Sequence, residues 1–402
     1  MELLKLAAIF VLILIFLGLK KPLYLVMLGA TVLVGIFFAM PPLEFLRSFG
    51  LSLINPETLE VILVIWFVML LEGLLGRAGY LQRMLNAIDE LFHSKRIDAV
   101  SMPMIIGFLP SAGGALFSAP MVDNATASLS LSAEQKSVIN VYYRHIMEIF
   151  FPTYPSLLII AGIAGVPVGG LSAILFPMAV LAFFSGFLLL RGFPRQPKQS
   201  EDKPHDLGKR IKNTLLALWP FLFLIVLIML VDLPVSLSCL IALLAVFIAV
   251  KQPIRGLPQL IREQTKGRIL LASAAVMVFK DLIQASGAVE TLPELVSQLP
   301  IPPVLIFSLL CVFIGMLTGL AYSATGIVTP LLMTAIPDFT LGTIAFIHLS
   351  SYIGVQITPT HLCVSITSEY FGANLQKVLL QSLPIYFVLY LIAAVVYGFL
   401  LA

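Results

Sequence analysis

Arg144 and Glu148 lie four residues apart, with His145 beside them, inside an apolar run long enough to cross a membrane. Charge in hydrocarbon is expensive and usually marks function. Two chemistries suit the triplet. In one, Arg144 attracts an anionic substrate while Glu148 or His145 carries a proton. In the other, Arg144 and Glu148 pair on one helix face and serve structure. Both stay open, and they are compatible. A second group of candidates is neutral. Ser111, Gly113 and Gly114 fall in GFLPSAGGALFSAP (107–120), and Thr318, Gly319, Ser323 and Thr325 in GMLTGLAYSATGIVTP (315–330). Thr153 and Ser156 accompany Pro152 and Pro155, and Thr358, Thr360 and His361 surround Pro359. Glycine admits a close backbone approach, and a hydroxyl either donates to an anion or coordinates a cation. The same small residues also serve plain helix packing in membranes. Asp123 is a third ion-coupling candidate beside Glu148 and His145, or a cap near the cytoplasmic face.

These residues need elements that hold them at membrane depth. The chain has 402 residues, 59% hydrophobic and 11% charged, against about 25% charged in soluble domains. Lipid is therefore the solvent. A net charge of +3 gives no footing for a nucleic-acid partner. Cys239, Cys311 and Cys363 form neither a disulfide framework nor a zinc spacing. A span needs about 20 apolar residues. The sequence predicts spans at 4–19, 22–40, 58–79, 168–190, 213–231, 234–250, 269–287 and 377–400, and interrupted ones at 135–165 and 340–373. Segments 98–122 and 303–335 are apolar but carry turn residues at their centres. Lipid-facing loops would leave backbone groups unpaired, so these two segments read as re-entrant helical hairpins buried in protein. Segments 81–97 and 288–300 mix apolar with polar residues and read as interfacial arms.

The two halves correspond. EGLLGRAG (72–79) aligns with KDLIQASG (280–287) at an offset of 208, as does Gly107 with Gly315, and FPT (151–153) aligns with TPT (358–360) at 207. The expected fold is thus an all-α polytopic membrane protein of two inverted-topology repeats, with about ten transmembrane helices, two re-entrant hairpins and two broken helices. Repeat one is 1–190, a cytoplasmic linker is 191–212, and repeat two is 213–402. Each repeat makes five crossings, an odd number, and this inverts the second. With both termini extracytoplasmic, the inner segments hold 20 of the 24 Lys and Arg, in keeping with the positive-inside rule. Hairpin one then enters from the cytoplasm and hairpin two from outside. Glu72 and Lys280 occupy equivalent positions, with Asp281 adjacent, and read as a contact between repeats or as functional charges.

GFLPSAGGALFSAPMVDNA and ITPTHLCVSITSEYFGANL, set in this repeat, resemble the ion transporter superfamily, in a prokaryotic branch related to the gluconate, citrate and dicarboxylate permeases. The Ser-Asn-Thr hairpin tips of the dicarboxylate carriers are absent here. The resemblance implies a carboxylate site at 110–114, 153–156, 318–325 and 358–361. It also implies coupling to Na⁺ or H⁺, an elevator motion and a homodimer in the inner (plasma) membrane. No cofactor is expected beyond a possible Na⁺. The leading function is a secondary transporter of a small organic anion. The alternative is a Na⁺/H⁺-type antiporter. An intramembrane hydrolase at Ser323-Ala-Thr-Gly326, or a metal enzyme at His145-x-x-Glu148, lacks the rest of either motif, so no enzyme is expected.

Overall fold

The computed structural model describes residues 2–19, 21–91, 95–108, 114–127, 129–190, 207–231, 233–251, 253–265, 267–287 and 300–401. Among them every regular element is helical. The first repeat opens with α1 (Glu2–Gly18), α2 (Leu23–Phe37), α3 (Pro42–Leu53) and α4 (Pro56–Arg77). An arm, α5 (Tyr80–Leu91), leads to the two limbs of a hairpin, α6 (Lys95–Ile106) and α7 (Gly114–Thr126). The broken helix follows. Its first half is α8 (Ala133–Arg144), run on by a 3₁₀ turn at Ile146–Ile149, and its second half is α9 (Pro155–Ala164). α10 (Val168–Gly186) closes the repeat.

The second repeat runs in the same order. It comprises α11 (Leu207–Ile225), α12 (Val235–Ala249), a short α13 (Leu257–Gln264) and α14 (Gly267–Ala285). The hairpin limbs are α15 (Pro303–Thr318) and α16 (Ala321–Ala335), the broken helix is α17 (Leu341–Gln356) and α18 (Leu362–Phe371), and α19 (Leu375–Val395) is last. Adding 207 to the bounds of α9 gives the bounds of α18, and Gly165, which ends α9 in the left-handed conformation, maps onto Gly372, which ends α18 likewise. The repeats interlock: α2 packs on α14 as α12 packs on α4, α7 on α18 as α9 on α16, and α8 on α19 as α10 on α17.

Four described helices, Pro56–Arg77, Val168–Leu190, Leu207–Leu230 and Leu375–Leu400, are long and apolar enough to cross a bilayer, and several apolar helices are shorter. α2 and α12, at 15 residues each, span about 22 Å against a hydrocarbon core of about 30 Å. Their flanking turns must cover the difference.

One feature departs from the sequence expectation. Residues 41–57 fall between the expected spans 22–40 and 58–79, yet Pro42–Leu53 is helical, started by proline at its first position. Lys280 and Asp281 serve the junction after this helix. Lys280 Nζ lies 2.5 Å from Glu57 Oε2, and Asp281 accepts from Ser52 Oγ at 2.6 Å. Lys280 thus makes a contact between repeats, one of the two readings its position offers. Further ties join α4 to the second repeat: Trp66 Nε1 donates to Thr265 Oγ1 at 2.9 Å, Ser236 N and Oγ donate to Glu60, and Arg77 pairs with Glu263. The first arm is an amphipathic helix, held to α11 by Trp219 Nε1 on Tyr80 Oη at 2.9 Å and Thr214 Oγ1 on Ala87 O at 3.2 Å. The second arm, 288–299, lies outside the described residues.

Candidate functional site

The helix breaks arise from proline. Pro152 and Pro155 lack the N–H that would carry α8 into α9, and proline disfavours helical geometry in the residue before it. Pro359 does the same between α17 and α18. The outer and inner ends of these half-helices are finished differently. At the outer ends, α8 begins with a capping box of Ser132 and Gln135, and α17 with one of Thr340 and Thr343. At the inner ends, Tyr154 before α9 and His361 before α18 make no side-chain cap bond. Ser156 and Leu157 N–H in α9 and Leu362 and Cys363 N–H in α18 thus have no partner among the described residues, while Val364 N bonds His361 O at 3.1 Å, and open first-turn groups favour negative charge.

The hairpins seat on the breaks in a repeated pattern. A methyl at Gly107 would collide with Arg144 O, and one at Gly315 would meet Ser351 O at 2.9 Å. The two pairs are related by offsets of 208 and 207. Tyr154 Oη donates to Gly107 O at 2.5 Å. In the second repeat, Thr358 Oγ1 and Thr360 Oγ1 both donate to Met316 O at 2.7 Å. Gly319 caps α15 in the left-handed conformation directly against Thr360 O.

At the junction of the broken helices sits a buried cluster that draws on both repeats. Arg144 is 3% exposed, His145 3%, His361 6% and Cys363 7%. Arg144 Nη1 lies 3.2 Å from His145 Nε2 and donates to Cys363 Sγ at 3.5 Å. A guanidinium only donates, so His145 Nε2 accepts, and Nδ1 carries the proton that it gives to Val141 O at 2.7 Å. The His145 and His361 rings meet edge to face with centroids 4.7 Å apart. One turn before Arg144, Asn140 Nδ2 donates to Thr367 Oγ1 at 3.0 Å, tying α8 to α18.

The structure brings together only part of the residue set read from the sequence. Arg144, His145 and His361 converge. Glu148 is half-buried in the 3₁₀ turn and interacts with Arg144 through space, yet it makes no ion pair with a described residue, Arg144 included. Its backbone O accepts from His348 Nε2 at 3.2 Å. Thr153 Oγ1, Ser156 Oγ and Ser323 Oγ are buried without a hydrogen-bond partner among the described residues. Thr358 and Thr360 seat the second hairpin, whereas Thr318 and Thr325 bond back within their own helices, to Ile314 O and Ala321 O. Gly114 opens α7. Ser111 and Gly113, at the tip of hairpin one, lie outside the described residues. Asp123 is set apart from the cluster. It pairs with Lys136 at 2.6 Å, across the α7–α8 junction, and its side chain is 46% exposed.

Sequence reasoning missed Cys363. It joins the cluster because Pro359 restarts the helix so that His361 and Cys363 straddle the first turn of α18. The available signal was His-x-Cys directly after the break proline. Spacing of the three cysteines to one another does not reveal it.

A search of curated proteins gives no match. Among solved structures, the chain is similar to the Alcanivorax borkumensis YdaH transporter, described as having an unusual topology. The TM-score is 0.60 and identity 16%, covering 94% of this chain and 96% of that one. At this identity the likeness is one of fold. Residues 2–400 match the family described as "Protein of unknown function (DUF401)", and the chain is a member of that family.

Proposed function

We propose that this chain is a secondary active transporter that moves a small organic anion, a carboxylate, coupled to Na⁺ or H⁺. The observation that carries the reading is the Arg144 guanidinium, buried at the junction of two broken helices whose inner N-terminal ends are uncapped. A fixed cation and open N–H groups in a low dielectric favour an anion. The unpartnered hydroxyls of Thr153 and Ser156 add donors in the same break. A fold shared with a protein described as a transporter supports the general class.

Of the proton carriers considered, Glu148 is the better placed, because both ring nitrogens of His145 are engaged. Na⁺ would instead draw on hydroxyl and carbonyl oxygens at the hairpin tips. In the elevator reading, α1, α2, α4 and their repeats form a static frame in a homodimer, with both termini extracytoplasmic in the inner membrane. Each hairpin, broken helix and closing helix moves as a unit. A coupling ion must bind that same unit, since a gradient biases only an equilibrium in which the ion has differential affinity.

The test is uptake of a panel of radiolabelled carboxylates into proteoliposomes under separate Na⁺ and pH gradients. Concentrative uptake driven by one gradient, and lost in Arg144→Gln, is expected. Equilibration indifferent to both gradients would refute coupling. The second reading, a Na⁺/H⁺-type antiporter, is favoured by the Glu148 carboxylate, which is free of ion pairs with described residues. It predicts Na⁺-driven proton flux in vesicles without any carboxylate.

A further inference from the structure

His145, His361 and Cys363 each offer a ligand atom, and these atoms all lie within 4.8 Å of one another. We propose that they form a buried binding site for a soft monovalent transition-metal ion, Cu(I), joining the two broken helices. Two further observations single out this trio. A metal-binding histidine ordinarily donates its second ring N–H to a carbonyl, which fixes the tautomer and aims the other nitrogen at the metal. His145 is held this way: Nδ1–H bonds Val141 O at 2.7 Å and Nε2 presents its lone pair to the cluster. His361 is 6% exposed, and its Nδ1 has no hydrogen-bond partner among the described residues. His361 therefore carries a buried ring nitrogen with no hydrogen bond among the described residues, in a ring whose centroid lies 4.7 Å from that of His145.

The present occupant reports the shape of the site. Arg144 Nη1 stands 3.2 Å from His145 Nε2 and 3.5 Å from Cys363 Sγ, so a positive group already rests against two of the three donors. Metal binding requires the guanidinium to withdraw while its charge stays nearby. That charge selects the ion. Cys363 binds as the thiolate, releasing one proton to solvent for each ion taken up. A monovalent ion plus a thiolate is neutral next to Arg144, whereas Zn²⁺ plus a thiolate leaves a second positive charge in a low-dielectric interior. One thiolate with two imidazoles is also a donor set suited to Cu(I). The step involves no redox change.

The site bridges repeats: His145 ends α8, while His361 and Cys363 begin α18. A bound ion would pin these two half-helices together and hold Arg144 away from its present place. This inference does not rest on the anion-transport reading.

The test uses full-length protein carrying Cys239→Ala and Cys311→Ala, which leaves Cys363 as the only thiol. It is titrated with Ag(I) in chloride-free buffer, and with Cu(I) under reductant against a chromogenic chelator. One equivalent of tight binding is expected, with an X-ray absorption spectrum of Cu(I) fitted by one sulfur and two nitrogens. Cys363→Ser and His361→Gln should each weaken binding by at least about tenfold. Absence of a tight equivalent, a spectrum without nitrogen ligands, or unchanged affinity in Cys363→Ser would overturn the site. Tighter binding of Zn²⁺ than of Ag(I) would overturn the choice of a monovalent ion. Should a variant fail to fold, the spectrum of the protein with all three ligands intact still decides.

Discussion

Replacing Gly319 by alanine tests the seat of the second hairpin on its helix break. Gly319 has φ +67°, and a Cβ there would meet Thr360 O at 2.5 Å, Thr360 C at 2.8 Å and His361 N at 3.1 Å. All three are backbone atoms and cannot rotate away. Two other glycines provide the control. Gly165 (φ +65°) and Gly372 (φ +67°) share the left-handed conformation, but nothing lies within 4 Å of their added Cβ. Alanine at any of the three incurs the left-handed strain, about 1–2 kcal/mol. At Gly319 alone it also forces hairpin and break apart, adding about 1–3 kcal/mol typical of overpacking. Gly165→Ala and Gly372→Ala should therefore lose about 1–2 kcal/mol, and Gly319→Ala about 2–5 kcal/mol when the two terms are summed. Reversible unfolding in mixed micelles titrated with a denaturing detergent measures all three, and the difference between Gly319→Ala and Gly372→Ala isolates the contact. Equal losses would show that the hairpin end does not rest on Thr360 and would remove the structural basis for a site at that junction.

Further outcomes are expected. Arg144→Lys keeps the charge but loses the planar fork, so it should retain weak anion uptake while Arg144→Gln abolishes it. Equal uptake by both, measured by counterflow, would discount the guanidinium. Asn140→Ala removes the buried bond to Thr367 and leaves that hydroxyl unpaired, which should lower stability by about 1–3 kcal/mol in the same unfolding assay. Glu134, at the start of α8, is held below the usual carboxylate range by its own backbone N–H first and then by Ser132. A depressed carboxyl contributes stability that is present above its unfolded value and lost as pH falls through its folded value. Glu134→Gln should therefore be less stable than the parent at neutral pH, with the gap closing in acid; a gap that persists unchanged in acid would contradict the assignment.

Much of the fold was legible because it follows from two strong constraints. Proline and paired glycines inside apolar runs forced hairpins and breaks, and the offset of 207–208 between Gly107 and Gly315, and between Thr153 and Thr360, fixed the repeat. Pro42–Leu53 is less legible because a 12-residue helix is too short to register as a span of about 20 apolar residues. The site was less legible. Thr318 and Thr325 carry the right chemistry, but their hydroxyls are absorbed by carbonyls of their own helices, a local bond that residue type alone does not announce. Asp123 looked eligible by charge, yet Lys136 thirteen residues on claims it. Cys363 lies 219 residues from Arg144, and only the interlocking of the repeats brings it there.

The pseudo-symmetry separates what builds the site from what gives it a chemical character. Under the 207-residue offset, Pro152 maps to Pro359 and Thr153 to Thr360, so the residues that make the breaks are shared. The ionisable residues are not. Arg144 maps to Ser351, His145 to Tyr352 and Glu148 to Val355, while His361 and Cys363 map back to Tyr154 and Ser156. A framework requirement binds both copies equally, because each hairpin needs its own break to sit on. A requirement for charge in a low-dielectric interior does the opposite. Two guanidiniums facing each other across a pseudo-axis would repel strongly. The repeat-one half-helix supplies Arg144 and His145, and the repeat-two half-helix supplies His361 and Cys363.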